Sequence, residues 1–124
     1  MTTTGNASVR ASGADDEAEL SVRVTDADSD SAAAVRLVAL VRMADAAIEA
    51  GQRYEDQVLA LLPRHGGRVE RRLRTDDAGT EVHVIRFDDR AGYEGFLVDP
   101  QRVALRAELG DAAPHTQVLE VHEV

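Results

Sequence analysis

The sequence predicts an α+β domain of the split βαβ, or ferredoxin-like, kind. Its order is βαββαβ, with a four-stranded antiparallel sheet carrying helices on one face. Three observations carry that expectation. Segments 35–42 and 81–87 are apolar at both parities, as strands buried on two sides are. Each is followed by a stretch with helical periodicity. Segment 68–75 alternates charged and apolar residues like a sheet edge, and Asp76-Asp77-Ala78-Gly79 turns it into the strand that follows.

In the first strand Val35, Leu37, Ala39 and Val41 alternate with Arg36, Val38, Leu40 and Arg42, with arginine only near the ends. A helix is expected from about Asp45, whose carboxylate can cap it. Tyr54, Val58, Leu61, Leu62 and His65 share one of its faces. Pro63 lacks an N–H and closes the last turn, and Gly66 or Gly67 supplies a left-handed cap. The edge strand sets Val69 and Leu73 against a charged face of Arg68, Glu70, Arg72 and Arg74. In 81–87, Val82 and Val84 point one way and His83, Ile85 and Phe87 the other. Asp88 or Asp89 caps a second helix with Tyr93, Phe96 and Leu97 inward. Asp99-Pro100 then stops it and starts another, in which Val103, Ala104 and Ala107 continue the apolar face to Gly110. Segment 115–124 is the last strand, with Val118, Glu120 and His122 on one face.

Two helices cover one face of such a sheet, yet Val38, Leu40 and a pair from the third strand must point to the other. Bare, that side would be an apolar patch of several hundred Å², which monomers seldom expose. A homodimer packed sheet to sheet is therefore expected.

Residues 1–30 are a different polymer. They hold −5 of the net charge of −9 and few large apolar groups, so a mostly disordered acidic arm is expected ahead of a domain over 31–124. One stretch resists: Leu20, Val22 and Val24 alternate with Ser21 and Arg23, a pattern that could form a short edge strand or dock on the body. Asp26-Ala27-Asp28-Ser29-Asp30 imitates a calcium loop but fails it, with Ser31 where the sharp turn needs Gly and Leu37 where a bidentate Glu belongs. The start lacks the apolar region of a signal peptide, and no run approaches the ~20 residues that cross a bilayer. Cytoplasm is the expected compartment, with no membrane partner.

Composition closes several chemistries. With no Cys there are no disulfides, thiolate nucleophiles or iron–sulfur clusters. All 14 bases are Arg, so Schiff bases and Walker A loops are out. The Ser residues, at 8, 12, 21, 29 and 31, leave the body without a Ser triad. The acidic balance, with a pI near 4.8, repels phosphate backbones, so nucleic acid is a poor partner. No motif calls for a cofactor.

Tyr54-Glu55-Asp56, then the run from Val58 through Leu61-Leu62-Pro63-Arg64-His65-Gly66-Gly67-Arg68, together with Glu81-Val82-His83-Val84-Ile85-Arg86-Phe87 and Phe96-Leu97-Val98-Asp99-Pro100, resemble the dimeric α/β-barrel superfamily. The likeness is to its short bacterial members and covers roughly 35–124. It implies two ferredoxin-like sheets facing each other around a central cavity. Superfamily members include cofactor-free monooxygenases, haem-degrading enzymes, lactone isomerases and pure binding domains. Its quinone-forming monooxygenases and haem degraders rely on an Asn and a Trp; here there is no Trp, and the one Asn is Asn6.

The remaining candidates are few. His83 is the candidate general base or metal ligand if it faces the barrel; pointed at the helices, it would leave the enzyme reading without a base. Glu120 and His122 share a face and with His83 could form a two-His-one-carboxylate set. Arg42, Arg72, Arg74 and Arg86 could line the barrel mouth, and Arg42, Arg86 and His122 are the candidate ligand contacts. Tyr54 and Tyr93 read as packing. The leading expectation is a small-molecule-binding or scaffold module for an apolar or acidic ligand. The rival is a cofactor-free isomerase or monooxygenase using His83 with Arg86 or Arg42. A cavity below about 300 Å³ would weaken either ligand reading and leave a plain assembly module.

Overall fold

A computed structural model describes residues 33–124 and, ahead of them, the backbone of two strands. The strands are β1 (Ala7–Ala11), β2 (Glu19–Val24), β3 (Val35–Arg42), β4 (Gly67–Arg74), β5 (Thr80–Phe87) and β6 (His115–Val121). The helices are α1 (Ile48–Leu59), α2 (Arg90–Leu97) and α3 (Pro100–Leu109). From β3 onward the order is the expected βαββαβ, with β6-β3-β5-β4 as its antiparallel sheet. The core strands are the two that are apolar at both parities, β3 and β5.

The sheet is longer than expected. β2 pairs in parallel with β6, and β1 pairs antiparallel with β2, giving the order β1-β2-β6-β3-β5-β4. The alternation at Leu20, Val22 and Val24 is thus a strand inside the sheet rather than an edge. The rest of the stretch expected as an arm, including the failed calcium loop over 26–30, lies outside the described residues.

Alternation in β3 and β5 sorts the two faces. Val35, Leu37, Ala39 and Val41, with Glu81, His83, Ile85 and Phe87, are buried beneath the helices. Val38, Leu40, Val82 and Val84 lie on the opposite, half-buried face. On the helix side the core closes around Phe87, which has no exposed surface and lies 5.5 Å from the ring of Tyr93 and 5.6 Å from that of Phe96.

Local chemistry explains the element ends. Asp89 caps α2 by accepting from the Gly92 N–H, and Asp99 caps α3 by accepting from those of Gln101 and Arg102, with Pro100 at the first position. Asp45 does not cap α1. The chain turns first, with Ala47 N–H bonded to the Ala44 carbonyl, and the helix starts at Ile48 with no side-chain cap. After α1 a 3-10 turn over Leu62–His65 contains Pro63, and Gly66 takes the left-handed conformation at φ 71° that ends it.

Gly92 permits the closest approach in the helix layer. A Cβ there would stand 2.1 Å from the His65 carbonyl oxygen, a backbone atom that cannot rotate away. Gly92→Ala is expected to lower stability by about 2 kcal/mol, as overpacking does. An unchanged urea midpoint would show that α2 can shift at no cost.

Candidate functional site

The site on the helix side of the sheet depends on one irregularity. Between Val69 and Arg71 the β4–β5 register shifts by a bulge, so two residues of β4 are spent on one step of β5. Before the bulge Val69 faces the helices opposite Ile85; after it Arg72 stands opposite His83 and Arg74 opposite Glu81. The shared face expected for Val69 and Leu73 is therefore broken. Leu73 turns to the open side and is 47% exposed, and two arginines take its place under the helices.

Those arginines hold a buried carboxylate. Arg72 reaches Glu81 through Nε at 2.9 Å and Nη2 at 3.3 Å, and Arg74 Nε donates to Glu81 Oε2 at 2.8 Å. Arg72 also ties the cluster to α1 by donating to Asp56 Oδ1 at 2.8 Å. Glu81 has no exposed surface. Burial opposes its ionisation, but hydrogen bonds from Arg72, His83 and Arg74 outweigh it and hold the carboxyl down at about 2.

His83 Nε2 lies 2.8 Å from Glu81 Oε1. An ionised carboxylate only accepts, so Nε2 carries the hydrogen and neutral His83 keeps its lone pair on Nδ1. Burial lowers the pKa of His83 and the bond to Glu81 only partly offsets this, which favours the neutral ring. Nδ1 faces the buried Glu55 of α1, whose Oε1 is 4.0 Å away, beyond hydrogen-bond reach.

Beside this cluster, the helices and sheet line a partly open cavity of about 50 Å³. Its walls are mainly apolar, with Leu37, Ala39, Val58, Ile85 and Phe96 among them, and His83, Glu55, Tyr54, Arg102 and Arg106 add polar groups. Burial raises the pKa of Tyr54, whose hydroxyl hydrogen-bonds to Arg106. Arg102 donates to the Leu97 carbonyl at 3.1 Å and stacks 5.1 Å above the Phe96 ring.

The structure redistributes the residues singled out in the sequence. His83 points to the helices, so it is lost as a base for a cavity between facing sheets. Among the described residues, however, a cavity lies on the helix side, and His83 lines it. Arg42 and Arg86 follow the opposite parity, Arg42 opposite Thr80 and Arg86 opposite Arg36, so neither joins His83. His122 lies past the end of β6 and is exposed. Glu120 faces the helices in an ion pair with Arg90, which leaves the two-His-one-carboxylate set unassembled. Among the described residues no group of three or more His, Cys, Asp or Glu side chains could hold a metal ion. Tyr54 and Tyr93 pack as expected, both also on the cavity wall.

Sequence reasoning missed Glu81 and Glu55. Glu81 was legible in principle, because a residue two positions before a buried strand His shares its face. Nothing in the pattern distinguished Glu55 from a solvated helix residue.

His65, which carries part of the resemblance, performs a different task. Its Nε2 lies 2.6 Å from Asp99 Oδ2, and Arg64 Nη1 reaches the same oxygen at 3.3 Å. His65 thereby joins the turn after α1 to the start of α3. The hydrogen bond from His65, with those from the Gln101 and Arg102 backbone, holds the Asp99 carboxyl down at about 2.

Among the described residues no helix is long and apolar enough to cross a membrane. No protein-family model matches this sequence, and neither does a curated protein. Solved structures are similar to it in fold. Rv0793 from Mycobacterium tuberculosis superposes with a TM-score of 0.59 at 18% identity, over 74% of this chain and 98% of that one. PA3566 from Pseudomonas aeruginosa gives 0.63 at 12% identity, over 77% and 99%. SnoaB, a cofactor-independent oxygenase from Streptomyces nogalater, gives 0.57 at 16% identity, over 75% and 97%. The chain thus has the ferredoxin-like fold of these bacterial proteins, the fold that its resemblance to the dimeric α/β barrels implied.

Proposed function

We propose that this chain is a homodimeric binding module for a compact small molecule, held between the sheet and its helices. The observation that carries the reading is the cavity wall, where Tyr54, Glu55, His83, Arg102 and Arg106 join a mainly apolar lining. A few polar groups in an apolar recess fix a ligand's orientation while burial supplies affinity. At about 50 Å³ the space is well under the ~300 Å³ at which drug-sized sites begin. That size weakens the ligand reading relative to a plain assembly module and limits any occupant to a few heavy atoms. The two arginines favour one with an acidic or strongly polar group.

Native mass spectrometry of protein purified from its own host tests this, with a retained small molecule as the expected result. Ala39, opposite His83 and on the cavity wall, offers a second test. Ala39→Val fills the space and suits a strand, so it should raise stability by about 1 kcal/mol while abolishing retention. No retained mass in the wild type, with Ala39→Val destabilising, would reduce the cavity to ordinary packing.

The second copy is proposed on the open face. There Val38, Leu40, Val82, Val84 and Leu119 form an apolar band across three central strands, flanked by the paired arginines Arg36 and Arg86. Such a band favours burial against its own copy. Sedimentation should give a species of twice the 13.4 kDa chain, and Leu40→Asp should convert it to a folded monomer. A wild-type monomer at micromolar concentration would overturn the dimer.

A further inference from the structure

We propose that β1 and β2 belong to the interface between two copies of this chain, so that the second copy covers a face six strands wide rather than four. The inference rests on the sheet-to-sheet dimer proposed above and deepens it by naming a further part of that interface. Register carries it. β2 runs parallel to β6 with Leu20 beside Gln117 and Val22 beside Leu119, and β1 sets Val9 beside Val22. Residues paired across neighbouring strands share a face of the sheet. Leu119 stands opposite Val38, and Val38 opposite Val84, positions of the open, half-buried face. One row of that face therefore runs Val9, Val22, Leu119, Val38, Val84 without a polar break. The next runs through Leu20, Gln117, Leu40 and Val82 to Leu73, the side chain left 47% exposed beyond the bulge.

The opposite parity is polar. Ser21 and Arg23 of β2 pair with Val118 and Glu120, which face the helices, and Arg10 and Ser8 of β1 continue those rows. Strands added to serve the helix layer would carry the reverse alternation. Two strands by themselves are marginal in water, and pairing with β6 supplies backbone hydrogen bonds but no cover for an apolar face. That cover must come from the open side, where a sheet buries its apolar face against a further layer. A second copy fits because the new rows are continuous with the band over β6, β3 and β5. A twofold pairing then joins the same patch of both copies. Six strands at about 4.8 Å spacing also make a face half again as wide as four, toward the ~800 Å² per partner of a stable interface.

Sedimentation of the full chain and of single variants over a series of concentrations reads the dimer dissociation constant. Val9→Asp and Val22→Asp should each raise it about 10-fold or more, as a charge placed in an apolar interface does. Ser8→Asp adds the same charge one residue away and at the other parity, and should change it by about 2-fold at most. Equal weakening by Ser8→Asp and Val9→Asp overturns the proposal, since the strands would then matter to the fold and not through this face.

A wild-type monomer ends the dimer reading and this one with it. A wild-type dimer left intact by both valine variants keeps the dimer and overturns the six-stranded interface. Should the valine variants unpair β1 and β2, amide exchange of the wild type decides the matter. Protection over 7–11 and 19–24 should fall as the protein is diluted below its dissociation constant. Protection that stays the same in dimer and monomer overturns the proposal.

Discussion

Glu81→Ala should lower stability by about 3–5 kcal/mol. The residue has no exposed surface and accepts from Arg72, Arg74 and His83 at once. Truncation removes one carboxylate and leaves a buried imidazole N–H and the Arg72 and Arg74 guanidinium groups without their shared acceptor, and that loss sets the size of the effect. Glu81→Gln keeps the shape and should cost less. Urea unfolding checks both, and a loss below 1 kcal/mol for the alanine variant would show that water replaces the carboxylate.

The same cluster predicts a pH dependence. The folded-state pKa of Glu81, about 2, lies below its ordinary 4.5. Its contribution is complete above the unfolded value and is lost as pH falls from there through 2, because the unfolded chain takes up the proton first. His83 works in a higher window. Its pKa is lowered from 6.5, so stability should already begin to fall as pH drops below that value. Glu81→Gln should flatten the lower limb.

Asp99→Ala should cost about 3 kcal/mol, roughly 1 from the lost helix cap and roughly 2 from the charged hydrogen bond to His65. Asp99 is 3% exposed and ties three segments together: the Arg64–His65 turn, the end of α2 and the start of α3. Asp99→Asn can still accept the backbone N–H groups, so it should retain the cap and lose only the charged part. Equal losses in the two variants would assign the whole effect to His65. Asp99 also sits near 2 against an ordinary 3.8, so its contribution is present above 3.8 and disappears as pH falls toward 2.

These two residues differ in how far the sequence revealed them. Asp99-Pro100 between two helical periods signalled a cap directly, and the cap is there. Its bond to His65 was hidden, because His65 lies 34 residues earlier and fell on a face that read as ordinary packing. Glu81 stood at the start of a recognised strand, two positions from a His already suspected. What concealed its role was the source of its partners. Arg72 and Arg74 read as the solvated face of an edge strand, and a perfectly alternating β4 would have kept them there. The acidic stretch at the start misled in another way. Charge density there argued against structure, while Leu20, Val22 and Val24 carried a strand that a neighbouring edge could pair.

The sequence by itself determined the order of elements from β3 to β6, the two central strands of the β6-β3-β5-β4 unit, the capping of α2 and α3, and the chemistries closed by missing Cys and Lys. These follow from periodicity, short-range turn and cap chemistry, and composition, all of which act within a few residues. Only the tertiary structure decided which face each site residue reaches. One bulge residue in β4 reverses every parity after it, and a register shift has no signature in the order of side chains. Through that single step two surface arginines become the clamp on Glu81, and Glu81 orients the imidazole of His83.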